Sequence, residues 1–344
     1  MKFVFLSGTP ANVEQGSGTY VGIAALRHAL TARGHAVEVV APPQASPSAW
    51  RRLAFNLRLR HRIFAEDAVV VGFDWDGLFA SRAGVASIKG VLAEEMQFER
   101  GVPRARLWMQ SRLERWRVRQ AQRVLTTSRY AASALEHRYG VAAERVRIVP
   151  ELLDVSAWQR DLNETPLTAN PAPAILCVAH LYPRKDVATL LQGLAQVPEV
   201  CAHIVGDGPE RARWEQLAAK LGLGSRALFL GHISRGQLMR EYRNAVLFCF
   251  PSRQEGFGIV LLEAMASGLP IVAARAGAIP EVVAEPGCAR LFPPGDAAAL
   301  AAQLGELLAD AALRARMGEA GREHVLRFDA PRVAGQFLEA INGN

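Results

Sequence analysis

Short apolar runs recur along the chain, each followed by a polar or glycine-containing turn and then by a longer stretch with helical spacing. In the first half the runs fall at 2–7, 36–40, 68–72, 84–88 and 124–127. In the second half they fall at 175–179, 201–205, 227–230, 245–250 and 271–274. Continuous apolar runs of this length, alternating with helix-period segments such as 21–32, 104–123, 187–197, 259–267, 297–308 and 328–341, predict buried parallel strands in a doubly wound α/β arrangement. The stretch 162–174 (LNETPLTANPAPA) breaks the rhythm with three prolines and no apolar periodicity, which predicts a linker. Two domains follow, residues 1–164 and 172–327, with a final helical segment at 328–344.

Composition narrows this picture. The chain of 344 residues is 50% hydrophobic, yet no run approaches the ~20 apolar residues a membrane-spanning helix needs. The start, MKFVFLSGTP, is too short for a signal-peptide core and reads as a first strand. Cys177, Cys201, Cys249 and Cys288 are scattered without metal spacing, which predicts free thiols in a reducing, cytoplasmic compartment.

Charge is uneven. Residues 1–164 hold 23 Lys and Arg against 16 Asp and Glu, whereas residues 165–344 hold 17 of each. The first half therefore expects an acidic partner. Segment 50–64 (WRRLAFNLRLRHRIF) as a helix would carry a basic face and an apolar one, suited to peripheral contact with an anionic membrane at its inner face. Segment 104–123 adds further arginines. No module for specific nucleic-acid recognition is present.

The most informative stretch is 251–283, PSRQEGFGIVLLEAMASGLPIVAARAGAIPEVV. Two glycines, Gly256 and Gly258, open a helix that stops at Gly268 and Pro270. The N–H groups of Phe257, Gly258 and Ile259 at such a helix start form an anion site suited to a diphosphate. Glu255 in the loop and Glu263 in the helix, eight residues apart, can accept hydrogen bonds from sugar and ribose hydroxyls. The pattern reads as a nucleotide-sugar cradle.

This stretch, with E-G-F-G, L-L-E-A-M-A, S-G-L-P and I-P-E-V-V in order, resembles the Glu-x7-Glu signature of retaining GT-B glycosyltransferases (glycosyl transferases group 1, family 4). The resemblance implies two Rossmann-like domains facing each other across a cleft, the first binding acceptor and the second donor, with the segment 328–344 crossing back onto the first. It implies transfer of a sugar, with retention, from a nucleoside diphosphate sugar (a UDP-sugar first, GDP-mannose second) to a glycan, lipid-linked or small-molecule acceptor, with no metal or other cofactor. Residue by residue, it assigns the donor phosphates to the glycine loop Gly16, Ser17 and Gly18. These glycines, with Gly22, read G-x-G-x-x-x-G, and no acid ends the second strand, which argues against a dinucleotide enzyme.

The family's Gly-Arg stands here as Ala179-His180, and the Lys that follows it is Lys185. Lys185 is thereby assigned to the diphosphate and the leaving group, with His180 a weaker cation and Arg184 able to compensate. Gly206, in a G-D-G-P turn, and His232 and Ile233, near the nucleobase, complete the donor set. Catalysis falls to Lys185 and Glu255. The His that many members carry near the reacting carbon is replaced by Lys89, so Asp74 and Lys89 are the acceptor-side candidates. Asp74-Trp75-Asp76 has metal-motif spacing but lies in the wrong domain for the donor. The missing His also leaves a second reading, a catalytically inactive sugar-nucleotide-binding protein. A phosphorylase reading is weaker, because such enzymes are much longer.

Overall fold

The computed structural model describes residues 1–8, 18–42, 49–167, 173–198 and 200–343. Its contacts divide the chain into two compact units, residues 1–152 with 330–344, and residues 153–329. In the first unit, strands β1 (Lys2–Leu6), β2 (Ala36–Val40), β3 (Ala68–Phe73), β4 (Val85–Ile88), β5 (Arg123–Thr126) and β6 (Val146–Ile148) form one parallel sheet in the order β2-β1-β3-β4-β5-β6. Its core gathers Phe3, Phe5 and Phe73 with Phe337 of the last helix, Ala330–Asn342. The Phe337 ring lies edge-on to Phe3 at 5.6 Å, and Arg33 and Arg123 donate to carbonyls of Pro331 and Ala340.

In the second unit, β7 (Ala174–Val178), β8 (Cys201–Val205), β9 (Ala227–Gly231), β10 (Leu247–Phe250), β11 (Ile271–Ala274) and β12 (Ala289–Phe292) form a second parallel sheet ordered β12-β11-β10-β7-β8-β9. Phe248, Phe250, Leu261, Leu262 and Ile271 fill one face of it and Leu190, Leu191, Cys249 and Val272 the other. Strands covered on both faces need apolar residues at successive positions, which is why they read as unbroken runs.

Three expectations change. The unit boundary lies at residues 152 and 153, not at 164: helix Val155–Glu164 packs into the second unit, its Trp158 edge-on to Tyr242 at 5.2 Å and donating to Ser267 Oγ at 2.9 Å. The edge strands β12 and β6 were not among the predicted runs. Both are edge strands of three or four residues, too short for a periodic signal. Segment 50–64 is a helix only over Ala49–Arg58, followed by a 3-10 turn at Leu59–His61. Its arginines do not share one solvent face either, because Arg52 turns inward.

Candidate functional site

In the second unit the chain leaves β7 toward β8 and β9 on one side and leaves β10 toward β11 and β12 on the other. The loops that follow β7 and β10 therefore part at adjacent strands, the switch point where open α/β sheets bind ligands. Lys185 comes from the first loop and Glu255 from the second, and the Lys185 ammonium donates to Glu255 Oε1. The ammonium also lies 5.3 Å from the Phe250 ring centroid. The two residues assigned to catalysis are thus brought together.

The loops are built to hold that pair. Pro183 opens a 3-10 turn through Lys185, and Asp186 follows with φ +46°, a left-handed conformation unusual for a residue with a side chain. Asp186 Oδ2 accepts from Thr189 Oγ1 and from Arg253 Nε, both at 2.7 Å, while the Arg253 amide donates to the Arg184 carbonyl. Behind Glu255, a Cβ at Gly277 would come within 2.5 Å of the Glu255 carbonyl oxygen, and the Ala278 amide donates to that oxygen at 3.0 Å. Asp186, Arg253 and Gly277 were not anticipated. They act through contacts between segments far apart in sequence, and no spacing announces them.

Helix Ile259–Ala266 starts at Gly258, whose φ of +93° turns the chain into it. The Leu261 amide donates back to the Gly258 carbonyl at 2.9 Å, and the amides of Ile259 and Val260 before it have no carbonyl partner within the helix. Phe257 contributes only backbone to such a site, since its ring is buried against Phe328 at 5.5 Å. About one turn along, Glu263 accepts a 2.7 Å hydrogen bond from Tyr242. Burial raises the Glu263 carboxyl above the usual carboxylate range, opposed by that bond and by Arg235. Burial and the facing carboxylate likewise drive the Tyr242 hydroxyl upward.

The remaining donor-side candidates meet at the ends of β7, β8 and β9. A Cβ at Gly206, which has φ +118°, would stand 2.0 Å from the Ala179 carbonyl oxygen, so the G-D-G-P turn presses against the residue before His180. The His180 and His232 rings lie edge-on with centroids 6.2 Å apart, and Ile233 is half-buried in the same loop as His232. Arg184 lies over the Tyr182 ring. Gly16 and Ser17 lie outside the described residues, and Gly18 is the first residue of helix Gly18–Ala32.

The first unit places Asp74 and Lys89 at the ends of β3 and β4, with the Lys89 amide 3.5 Å from Asp74 Oδ1. The Lys89 ammonium is held by Glu151 at 3.0 Å and lies 5.9 Å from the Phe73 ring. Its charge is therefore already matched inside the unit. Asp74, at φ +54°, has its carboxyl raised by burial, with Arg52 opposing. Arg52 was expected on the basic face of segment 50–64. Instead it donates to both oxygens of the fully buried Asp76 at 2.9 and 2.7 Å, where Asn56 Nδ2 and the Gly8 amide also converge. Asp76 thus anchors the entry to the glycine loop. It shares this unit with a second buried carboxyl, Glu114, which burial pushes up to about 8 and which accepts from Tyr139 and the Leu92 amide.

Two six-stranded parallel sheets in separate units, with ligand loops at the switch point, define the GT-B class. The profile described as "Glycosyltransferase Family 4" matches residues 16–157, and "Glycosyl transferases group 1" matches residues 160–324. The chain belongs to the group 1 GT-B glycosyltransferases. It is 33% identical to MMP alpha-(1->4)-mannosyltransferase of Mycolicibacterium hassiacum over 74% of this chain and 64% of that protein. It spans about half the length of several other curated relatives it matches. Among solved structures, sucrose-phosphate synthase from Thermosynechococcus elongatus superposes with a TM-score of 0.82 at 23% identity, covering 99% of this chain and 98% of that one. HepE of Anabaena, in complex with UDP and glucose, superposes with a TM-score of 0.75 at 22% identity over the whole of both chains. These likenesses show the fold. No helix among the described residues is long and apolar enough to cross a membrane.

Proposed function

We propose that the chain transfers a sugar, with retention, from a nucleoside diphosphate sugar to an acceptor bound by the first unit. The observation that carries this is the meeting of Lys185 with Glu255 beside the Gly258 helix start. Departure of a nucleoside diphosphate builds negative charge on its terminal phosphate. An ammonium and aligned amide dipoles held in place beforehand stabilise that charge without reorganising. On this reading Lys185 passes from Glu255 to the diphosphate when donor binds. Glu255 is then released to accept from the donor sugar's hydroxyls, Glu263 takes the ribose diol, and His180, His232 and Ile233 flank the base. The residues supply this charge stabilisation themselves, so no metal is required.

A UDP-sugar is proposed first, the nucleotide present in the HepE complex. GDP-mannose is second, on the mannosyl group named for the Mycolicibacterium relative. The acceptor is a glycan, a lipid-linked glycan or a small molecule, met by Asp74 and Lys89. Peripheral contact with an anionic membrane is supported by exposed Trp50, Leu57 and Ile63 beside exposed arginines. One experiment tests the core of the reading. The protein is screened by thermal shift against UDP- and GDP-sugars, since the tightest binder raises the midpoint most. The tightest binder is then supplied with acceptors while nucleoside diphosphate release is measured. Binding without acceptor-dependent release would instead establish the non-catalytic binder, which the Lys89–Glu151 pair in place of a His favours.

A further inference from the structure

A cavity of about 620 Å³ opens in the first unit between the end of β2 and the helix Ala49–Arg58. Its volume falls within the roughly 300–1,000 Å³ of small-molecule sites. Val40, Phe55 and Leu59 give it an apolar floor, with Phe55 and Leu59 themselves buried. Around that floor stand Arg51, Arg58, His61 and Arg62, and among the described residues no carboxylate lines it. Arg62 pairs with Glu38, which lies outside the lining. Among the described residues, the side chains of Arg51, Arg58 and His61 have no hydrogen-bond or ion-pair partner.

Positions 51, 54, 55 and 58 return to one flank of a helix, so the sequence brings arginine and apolar side chains to the same hollow. Like charges gathered there repel one another, and among the described residues only Arg62 has an acid to offset it. Guanidinium groups match the geometry of a phosphoryl group two hydrogen bonds at a time. The apolar floor excludes a bare anion as the best fit and favours an ester.

We propose that this cavity binds a phosphate ester, with the phosphoryl oxygens on Arg51 and Arg58 and the apolar part of the ligand on Phe55 and Leu59. The cavity lies at the C-terminal edge of the sheet that also presents Asp74 and Lys89. The helix that lines it turns its other flank, through Arg52 and Asn56, onto Asp76. The bound ester is therefore the anionic part of the acceptor. That last identification rests on the function proposed above; phosphate-ester binding does not.

The test uses the full chain without nucleotide, titrated calorimetrically with dibutyl phosphate. A second arm compares sedimentation with phosphatidylglycerol and phosphatidylcholine vesicles. Arg58→Gln is set against Arg60→Gln, which removes the same charge from the same segment outside the cavity, and Ala54→Trp fills the hollow. The expected result is one dibutyl phosphate site, weakened about tenfold or more by Arg58→Gln, abolished by Ala54→Trp and changed less than about twofold by Arg60→Gln. Vesicle binding that follows the same order identifies a lipid headgroup as the source; binding of the soluble ester alone identifies a free phosphate ester. Absence of binding in both arms, or equal losses for Arg58→Gln and Arg60→Gln, overturns the proposal. Loss of sugar transfer with ester binding intact would count against the enzyme reading and leave this site standing.

Discussion

Both units place acidic and basic side chains at the C-terminal edge of a parallel sheet, but they use them differently. In the second unit Lys185 and Glu255 hold one another across two loops, and those loops are positioned by contacts behind them, from Asp186, Arg253 and Gly277. In the first unit the charges are themselves the fastening. Asp76 is fully buried and ties Arg52, Asn56 and Gly8 together. A pair kept at a loop junction can exchange partners with a ligand, whereas a buried network resists opening, because each freed group would stay desolvated. The contrast teaches that an ion pair marks a binding site when other residues hold its loops in place, and marks architecture when it holds them itself.

The contrast makes testable statements, taken here from the largest effect downward. Asp76→Ala should lower the stability of the first unit by ~3–5 kcal/mol, because Arg52 keeps only the longer 3.4 Å ion pair with Asp74, and Asn56 and the Gly8 amide lose their buried acceptor. Urea unfolding measures this. An unaltered urea midpoint would break the comparison outright. Lys185→Gln should behave in the opposite way. It keeps a hydrogen bond to Glu255 but removes the charge, so kcat should fall by about 10²–10³, a larger effect than the one on the melting temperature.

Glu114 sharpens the picture of the first unit. Its carboxyl titrates near 8 in the folded chain, above its ordinary 4.5, so the folded state holds a proton that the unfolded chain releases. Stability from this group is therefore complete below about pH 4.5 and declines as pH rises toward 8, by at most ~1.4 kcal/mol per pH unit. Melting temperatures between pH 6 and 8 should fall for the native protein and stay flatter for Glu114→Gln. A parallel decline in both would assign the pH dependence to other groups.

The smallest effect concerns Glu263. Its raised carboxyl means that nucleotide binding, which favours the ionised form, should weaken as pH drops through its titration range. Glu263→Gln should reduce affinity for the nucleoside diphosphate by about tenfold and remove that pH dependence. Calorimetry at two pH values decides it, and an unchanged affinity would withdraw Glu263 from the ribose.

Much of the second unit was readable before any coordinates. The run 245–250, the paired glycines and the two glutamates lie within one continuous stretch, so local rules of strand, turn and helix start apply directly to Glu255, Gly258 and Glu263. The first unit was less readable. Arg52 sits in a segment whose alternation of arginine and apolar residues resembles a surface helix, and nothing local distinguishes it from Arg51 or Arg58. Asp76 lay in a D-W-D sequence whose spacing suggested a metal motif, while its actual partners stand at positions 8, 52 and 56. Glu151 and Lys89 are far apart along the chain and meet only because β4 and β6 end on the same edge.

Periodicity, turn residues and the 251–283 string were enough to specify two α/β units, their strands other than the edge strands β6 and β12, and the elements of the proposed donor cradle, because each of these depends on neighbours a few positions away. Tertiary structure alone decided which charges would be buried. It sent helix Val155–Glu164 to the second unit, turned Arg52 inward and Arg51 and Arg58 toward a cavity, and set Lys185 against Glu255. Those outcomes depend on strand order and on which side chain can find a partner once water is excluded, and that information is distributed over the whole fold.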